Sequence, residues 1–197
     1  VLGFSRGGGQ AAALRWYRPF TFETRWGART LADRPVVGWI RKADMWLRPN
    51  GAEPGAREAL RKALRFYGRG VGLHWYHWHA RPFDTNYPEY FPAQEGFAEA
   101  VAEAQSPGAR GTPYINGRLW DPATDSYRTL HGSEASCRKA DGTLYTEVYG
   151  SKVPNTVTCP SSPVWQEVLR DLNRRILAEL KTDGVYMDQI GCAGSEA

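Results

Sequence analysis

The sequence predicts an α/β fold in which about four strand–helix units build a parallel sheet. Its 197 residues, 42% of them hydrophobic, are enough to bury one core. Short β-branched and aromatic runs alternate with amphipathic helical segments, an order that implies parallel strands joined by right-handed crossovers. The helix-to-strand links are short and the strand-to-helix links are long, so the elaborate loops lie beyond the carboxyl ends of the strands.

Each of the first two units pairs one strand with one helix. The run VVGWIR at 36–41 predicts a strand, and GAREALRKALRFYG at 55–68 predicts a helix that stops at Gly68. VGLHWYHWH at 71–79 predicts the second strand. EGFAEAVAEAQ at 95–105 predicts the second helix, because its apolar residues recur on one face.

The last two strands enclose a long irregular region and the clearest helix. TPYINGRLW at 112–120 predicts the third strand. SPVWQEVLRDLNRRILAEL at 162–180 predicts a helix with a continuous apolar face, with Ser162 as its N-cap and Pro163 as its first residue. GVYMDQIG at 184–191 predicts the fourth strand.

Charge and composition exclude several classes of partner. The formal net charge is +4 and the pI is near 9.0, but the basic residues are scattered. They do not form the run of about five or six that an electrostatic nucleic-acid surface needs. No stretch approaches the roughly 18 apolar residues of a membrane span, and Cys137, Cys159 and Cys192 fit no zinc spacing. We therefore expect neither nucleic acid nor membrane as a partner, and no cofactor.

The end of the fourth strand carries the first candidate site residue. Asp188 is the last strand residue before the loop side, so its carboxylate is expected at the face where α/β folds place their sites. Tyr186 lies two residues earlier, on the same side, and Val185 and Met187 are expected to face the helices. The alternative is that Asp188 caps a turn or binds an arginine of a neighbouring loop.

Four segments carry a resemblance to known proteins. They are GVYMDQIG at 184–191, CPSSPVWQ at 159–166, TEVYGSK at 146–152 and GLHWYHWHARPFDTNYPEYFP at 72–92. Together they resemble an uncharacterised bacterial family of glycoside-hydrolase-like TIM-barrel proteins. More distantly, the strand-end acid is similar to the nucleophile of retaining α-glycosidase and endo-α-N-acetylgalactosaminidase barrels.

The resemblance implies a fold, a domain division and a reaction. The fold would be a (β/α) barrel of the TIM type, present as a partial barrel of about four βα units. Residues 1–34 would be a lead-in segment and residues 35–197 the N-terminal part of a truncated (β/α)8 catalytic barrel. Asp188 would be the catalytic nucleophile of a retaining glycosidase with a carbohydrate substrate.

The remaining candidates follow from the chemistry of sugars, which present apolar CH faces and many hydroxyls. Such ligands are held by aromatic platforms together with acids and amides. Strand alternation leaves open whether the odd or the even residues of 74–79 face the site. The expected substrate contacts are Trp75, His77, His79, Asp84, Asn116, Trp120, Tyr186 and Gln189.

Two alternatives stay open at this point. A retaining glycosidase needs a second carboxyl about 5 to 5.5 Å from the nucleophile, and Glu147 is either that group or a solvated hairpin acid. The first alternative to a glycosidase is a non-catalytic carbohydrate-binding barrel fragment. A metal-dependent hydrolase would instead use His77 and His79, two apart on a strand, with Asp188 completing the site.

Overall fold

The computed structural model describes residues 7–25 and 27–190, and the chain divides into two compact units, Val1–Lys42 and Ala43–Ala197. The first unit contains helix α1 (Gly9–Glu23), a 3₁₀ turn at Leu31–Asp33 and helix α2 (Gly38–Arg41). Along the described ranges, no helix is long and apolar enough to cross a lipid bilayer.

The second unit contains two sheets and four helices among the described residues. In chain order its elements are β1 (Met45–Leu47), α3 (Pro54–Tyr67), β2 (Val71–Trp75), α4 (Phe97–Gln105), β3 (Arg110–Asn116), β4 (Leu119–Trp120), α5 (Asp125–Thr129), β5 (Thr146–Val148), β6 (Pro154–Val157), α6 (Pro163–Leu180) and β7 (Tyr186–Asp188).

The larger sheet is parallel and the smaller sheet is antiparallel. The larger one has four strands in the order β1-β2-β3-β7, and the smaller one has three in the order β4-β6-β5. The parallel register places Trp46 beside Gly72 and His74 beside Thr112. At the far end of the sheet it places Asn116 beside Asp188.

The predicted fold class, a partial TIM-type barrel of about four βα units, is therefore wrong. The parallel strands form only a half-barrel sheet, helices are few, and an antiparallel sheet is inserted between β3 and α6. Residues 112–120 divide at Gly117, so Leu119 and Trp120 pair with β6 and not with the parallel sheet. The strands β5 and β6 were missed because they are short and polar, and such segments show no period of apolar residues.

The predicted strand at 36–41 is also wrong, because Gly38–Arg41 form the short helix α2. A short apolar run without polar alternation has the same pattern in a buried strand and in a turn of helix. The first strand of the sheet is Met45–Leu47 instead. The three predicted helices correspond to α3, α4 and α6, and their bounds are confirmed to within two residues at each end.

The core lies between the parallel sheet and the helices α3, α4 and α6. Leu73, Trp75 and Ile115 point to this side and are almost fully buried. The Trp75 ring meets the edge of Phe97 from α4 at 5.0 Å, and its indole N–H donates to the Gly51 carbonyl at 2.8 Å. The odd-numbered residues Leu73 and Trp75 of β2 therefore point into the core.

Asp183 ties three segments together just before β7. Its carboxylate accepts from the Gln105 amide at 2.9 Å, the Arg110 guanidinium at 2.8 Å and the Gly111 backbone N–H at 2.9 Å. The side chain is only 11% exposed. These bonds join the end of α4 and the start of β3 to the segment that leads into β7.

We predict that Asp183→Asn lowers the free energy of unfolding by about 1–3 kcal/mol, because an amide cannot accept from all three donors and loses the ion pair. Urea denaturation measures this change. Asp171→Asn is the matched control, since Asp171 is an exposed acid that pairs with Arg174 one turn along α6. Equal denaturation midpoints for the two variants would contradict this role of Asp183.

His79 is a buried imidazole in the core beyond β2. It is 2% exposed and meets the edge of the Tyr90 ring at 5.3 Å. Burial lowers the pKa of His79 from 6.5 to about 4, so the folded chain favours the neutral ring. The unfolded chain binds the proton more readily, and this contribution to stability is therefore lost as the pH falls from about 6.5 towards 4.

We predict that between pH 7 and pH 4.5 the parent loses about 2–3 kcal/mol more unfolding free energy than His79→Phe does, since the phenyl ring cannot be protonated. Thermal melts across this pH range measure the difference. Phe66→Leu, at an exposed position without a titratable group, should keep the parent's pH dependence. Parallel pH curves for the parent and His79→Phe would show that another group is responsible.

Candidate active site

The side of the parallel sheet opposite α3, α4 and α6 is lined with rings, and we call it the aromatic face. Its members are Trp46, His74, Tyr76, Tyr114 and Tyr186. The His74 ring stacks on Tyr186 with centroids 4.4 Å apart and lies 4.5 Å from Trp46. Tyr76 stacks on Tyr114 at 4.6 Å. Successive side chains of a strand point to opposite faces of the sheet, and these rings occupy the positions that share one face.

Asp188 stands at the carboxyl end of β7, at the rim of the aromatic face. Its neighbour Met187 lies on the opposite side, 3.8 Å from the Asn173 amide of α6. The Asp188 Oδ1 accepts from the Gln189 backbone N–H at 2.9 Å. The hydroxyls of Tyr114 and Tyr186 lie 3.4 Å from Oδ2 and Oδ1, which is long for a hydrogen bond between oxygens. The backbone N–H is thus the strongest of the three donors to this carboxylate.

The two tyrosines beside Asp188 keep their protons at neutral pH. Burial raises the pKa of Tyr186 to about 12, and the negative charge of Asp188 adds to the effect. Burial also raises the pKa of Tyr114, and the Asp188 charge raises it further against the lowering effect of Asn116. Both phenols therefore present an O–H to the carboxylate.

An amide pair adjoins the carboxylate. The Asn116 side-chain N–H donates to Gln189 Oε1 at 3.1 Å, and its Oδ1 accepts from the backbone N–H groups of Arg118 and Leu119, each at 3.0 Å. The Gln189 side-chain N–H in turn donates to the Tyr149 hydroxyl at 2.9 Å. Gln189 has a φ of 64°, in the left-handed region that residues other than glycine rarely adopt.

Glu147 is not a solvated hairpin acid. Its Oε1 lies 2.7 Å from the Arg118 guanidinium, and the two side chains are only 18% and 7% exposed. Its Oε2 accepts from the Tyr149 hydroxyl at 2.6 Å. Each oxygen of this carboxylate therefore has a partner within the protein.

Asp84 is a second acid near the aromatic face. Its Oδ1 accepts from the Tyr87 hydroxyl at 3.0 Å, and its backbone carbonyl accepts from the Ser151 hydroxyl at 2.7 Å. The negative charges of Asp188 and Asp84 both raise the pKa of Tyr114. The two acids are thus electrostatic neighbours of the same phenol.

The structure does not bring every expected contact residue to this place. Trp75, His79 and Trp120 are buried in the core. His77 is exposed, with its ring 4.6 Å from Phe83. The structure does bring together Asn116, Tyr186, Asp188 and Gln189. Over residues 7–25 and 27–190, no group of three His, Cys, Asp or Glu side chains could hold a metal ion.

Sequence reasoning missed several members of the site. Trp46 was missed because the first strand was placed at 36–41. Tyr114 and Asn116 share one phase of β3, a signal that could have identified Tyr114 as a neighbour of the site. Arg118 and Tyr149 gave no signal, because their roles depend on the pairing of an antiparallel sheet that the sequence did not predict.

The chain is similar to two curated proteins that are much longer. A "Putative glycoside hydrolase" of Bacteroides thetaiotaomicron is 65% identical over 196 residues, which cover all of this chain and 29% of that protein. A "Putative glycoside hydrolase 22789" of Monosiga brevicollis is 30% identical over 213 residues, covering 92% of this chain and 18% of that protein. The chain thus spans less than a third of the length of either relative.

Solved structures share the fold at low sequence identity. The α-N-acetylgalactosaminidase NagBb from Bifidobacterium bifidum, in complex with Gal-NHAc-DNJ, matches with a TM-score of 0.63 and 20% identity, over 89% of this chain and 32% of that one. A cycloalternan-degrading enzyme from Trueperella pyogenes matches with a TM-score of 0.53 and 15% identity, over 78% and 26%. Over residues 1–197 the chain matches the model of the family described as domain of unknown function DUF6259, and it belongs to that family.

Proposed function

We propose that the chain supplies the sugar-binding face and the nucleophile of a glycoside hydrolase, with Asp188 as the nucleophile. The observation that carries the proposal is the carboxylate itself, which stands at the carboxyl end of a parallel strand, at the rim of the aromatic face. The names of the two curated relatives support the same class of reaction.

The aromatic face fits the apolar faces of a sugar ring. Trp46, His74, Tyr76 and Tyr186 are all partly exposed, so a ligand can reach them. Ring stacking on a pyranose buries CH groups while its hydroxyls turn to polar neighbours. Gln189 and Asp84 are the polar neighbours we assign to this task. Asn116 is buried and its amide is fully engaged within the protein, so we assign it the positioning of Gln189.

Asp188 fits the role of nucleophile by charge and by position. In a retaining reaction an ionised carboxylate attacks the anomeric carbon, while a second carboxyl gives a proton to the departing oxygen. The donors around Asp188 fix its orientation before a substrate binds, which lowers the entropic part of the barrier. Glu147 does not fit the second role, because Arg118 and Tyr149 occupy its two oxygens.

A carbohydrate-binding domain without catalysis is the second candidate. It is favoured because both oxygens of Glu147 are bound within the protein, so Glu147 cannot act as the second carboxyl beside Asp188. In this case the aromatic face would bind sugar in the same way, and Asp188 would accept a hydrogen bond from a hydroxyl. The metal-dependent alternative has less support, since His79 is buried while His77 is exposed.

We predict that Asp188→Asn lowers kcat/KM on aryl glycosides by about 10³-fold or more in the intact protein, because the neutral amide cannot form the glycosyl ester. Binding of a non-hydrolysed sugar should stay within about threefold of the parent, since the shape of the side chain is kept. Asp171→Asn, on the exposed face of α6, is the control for general effects of losing an acid.

The outcomes separate the two candidates. Parent turnover that Asp188→Asn leaves intact would exclude Asp188 as the nucleophile. A parent that binds sugars but cleaves none of a broad panel of aryl glycosides would favour the binding domain. Loss of activity on addition of a chelator would point instead to metal-dependent hydrolysis.

A further inference from the structure

We propose that Tyr149 is a positioning residue, which holds Gln189 so that the Gln189 backbone N–H fixes the Asp188 carboxylate. The inference rests on the proposed function, because it gives Tyr149 a part in orienting the nucleophile. It assigns a role to the antiparallel sheet, which contributes none of the residues of the aromatic face.

The observation behind the inference is a closed circuit of side chains, which we call the polar ring. Its members are Asn116, Arg118, Glu147, Tyr149 and Gln189. The contacts around it run from Asn116 to Gln189 at 3.1 Å, from Gln189 to Tyr149 at 2.9 Å, from Tyr149 to Glu147 at 2.6 Å and from Arg118 to Glu147 at 2.7 Å. The Arg118 backbone N–H closes the circuit by donating to Asn116 Oδ1 at 3.0 Å.

The chemistry of Glu147 fixes the direction of every hydrogen bond in the polar ring. An ionised carboxylate only accepts, so the Tyr149 hydroxyl must donate to it. The Tyr149 oxygen is then an acceptor, and Gln189 must turn its NH₂ towards it. Burial raises the pKa of Tyr149, and the hydrogen bond to Glu147 raises it further, so this donor keeps its proton.

The ion pair anchors the polar ring to the second sheet. The Arg118 side chain is 7% exposed and the Glu147 side chain 18%, so the pair is screened from water on most sides. Glu147 belongs to β5, where its backbone pairs with Asn155 of β6. Tyr149 follows β5 directly. The phenol that meets Gln189 therefore belongs to the residue directly after a paired strand.

Gln189 is the point at which the polar ring reaches Asp188. Its left-handed backbone, with a φ of 64°, is costly for a residue with a side chain and persists where its surroundings hold it. The same residue gives the shortest hydrogen bond to the Asp188 carboxylate, at 2.9 Å. Loss of the Tyr149 hydroxyl removes one of the two side-chain anchors of Gln189 and so loosens this bond.

The test compares Tyr149→Phe with the parent in the intact protein. The kcat on aryl glycosides should fall on the order of tenfold while KM stays within about twofold, because orientation of the nucleophile affects the reacting state more than substrate binding. The control is Tyr145→Phe, in the same part of the chain just before β5, where the structure gives the hydroxyl no hydrogen bond among the described residues. It should leave both constants unchanged.

A second readout does not depend on turnover. Hydrogen exchange followed by mass spectrometry should show the backbone amides of residues 188–190 exchanging several-fold faster in Tyr149→Phe, and unchanged in Tyr145→Phe. Unchanged exchange in Tyr149→Phe would overturn the inference whatever the activity. Faster exchange with an unchanged kcat would overturn it as well.

The inference and the proposed function fail in different ways. A parent that cleaves no glycoside removes the proposed function and the inference with it. A parent that is active, with Tyr149→Phe behaving like Tyr145→Phe, removes the inference alone. The predicted pattern, a lower kcat together with faster exchange at 188–190, supports both.

Discussion

The register between β3 and β7 is the constraint on which the rest of the structure depends. It sets Tyr114 beside Tyr186 and Asn116 beside Asp188 on one face. A slip of one residue would turn Asp188 towards α6 and bring Met187 to the aromatic face, since side chains alternate along a strand. Asp183 holds this register at the other end of β7, through its bonds to Gln105, Arg110 and Gly111.

Gly117 links β3 of the parallel sheet to β4 of the antiparallel sheet, and it lies in close contact with the end of β7. Its N–H donates to the Asp188 carbonyl at 2.9 Å, and its carbonyl accepts from the Trp165 indole at 2.8 Å. A Cβ at this position would lie 2.9 Å from the Cβ of Ile190 and 3.1 Å from the Asp188 carbonyl oxygen. Glycine lets the chain pass this close to β7 and then enter β4, which brings the ion pair of Arg118 within reach of the sheet rim.

The sequence predicted the helices, because apolar periodicity and capping residues are local signals. Helices α3, α4 and α6 have clear apolar faces, and that of α6 follows the expected cap at Ser162. Asp188 was expected at the end of the last strand, and β7 does end there; its role as nucleophile stays a proposal. Trp75 and Trp120 were expected to contact the substrate, but both are buried in the core. Aromatic residues occur on both faces of β2 and at the end of the third predicted strand, so the alternation of side chains does not show which residues point into the core. The polar ring depends on the pairing of β5 with β6, which leaves no periodic signal in the sequence.

The central claim is that the Asp188 carboxylate forms the covalent bond to sugar. An activated 2-deoxy-2-fluoro glycoside, incubated with the intact protein, traps such an ester, and peptide mass spectrometry locates it. The account predicts a single glycosyl adduct on Asp188, formed as activity is lost. An adduct on another carboxylate, or continued turnover with Asp188 unmodified, would contradict it.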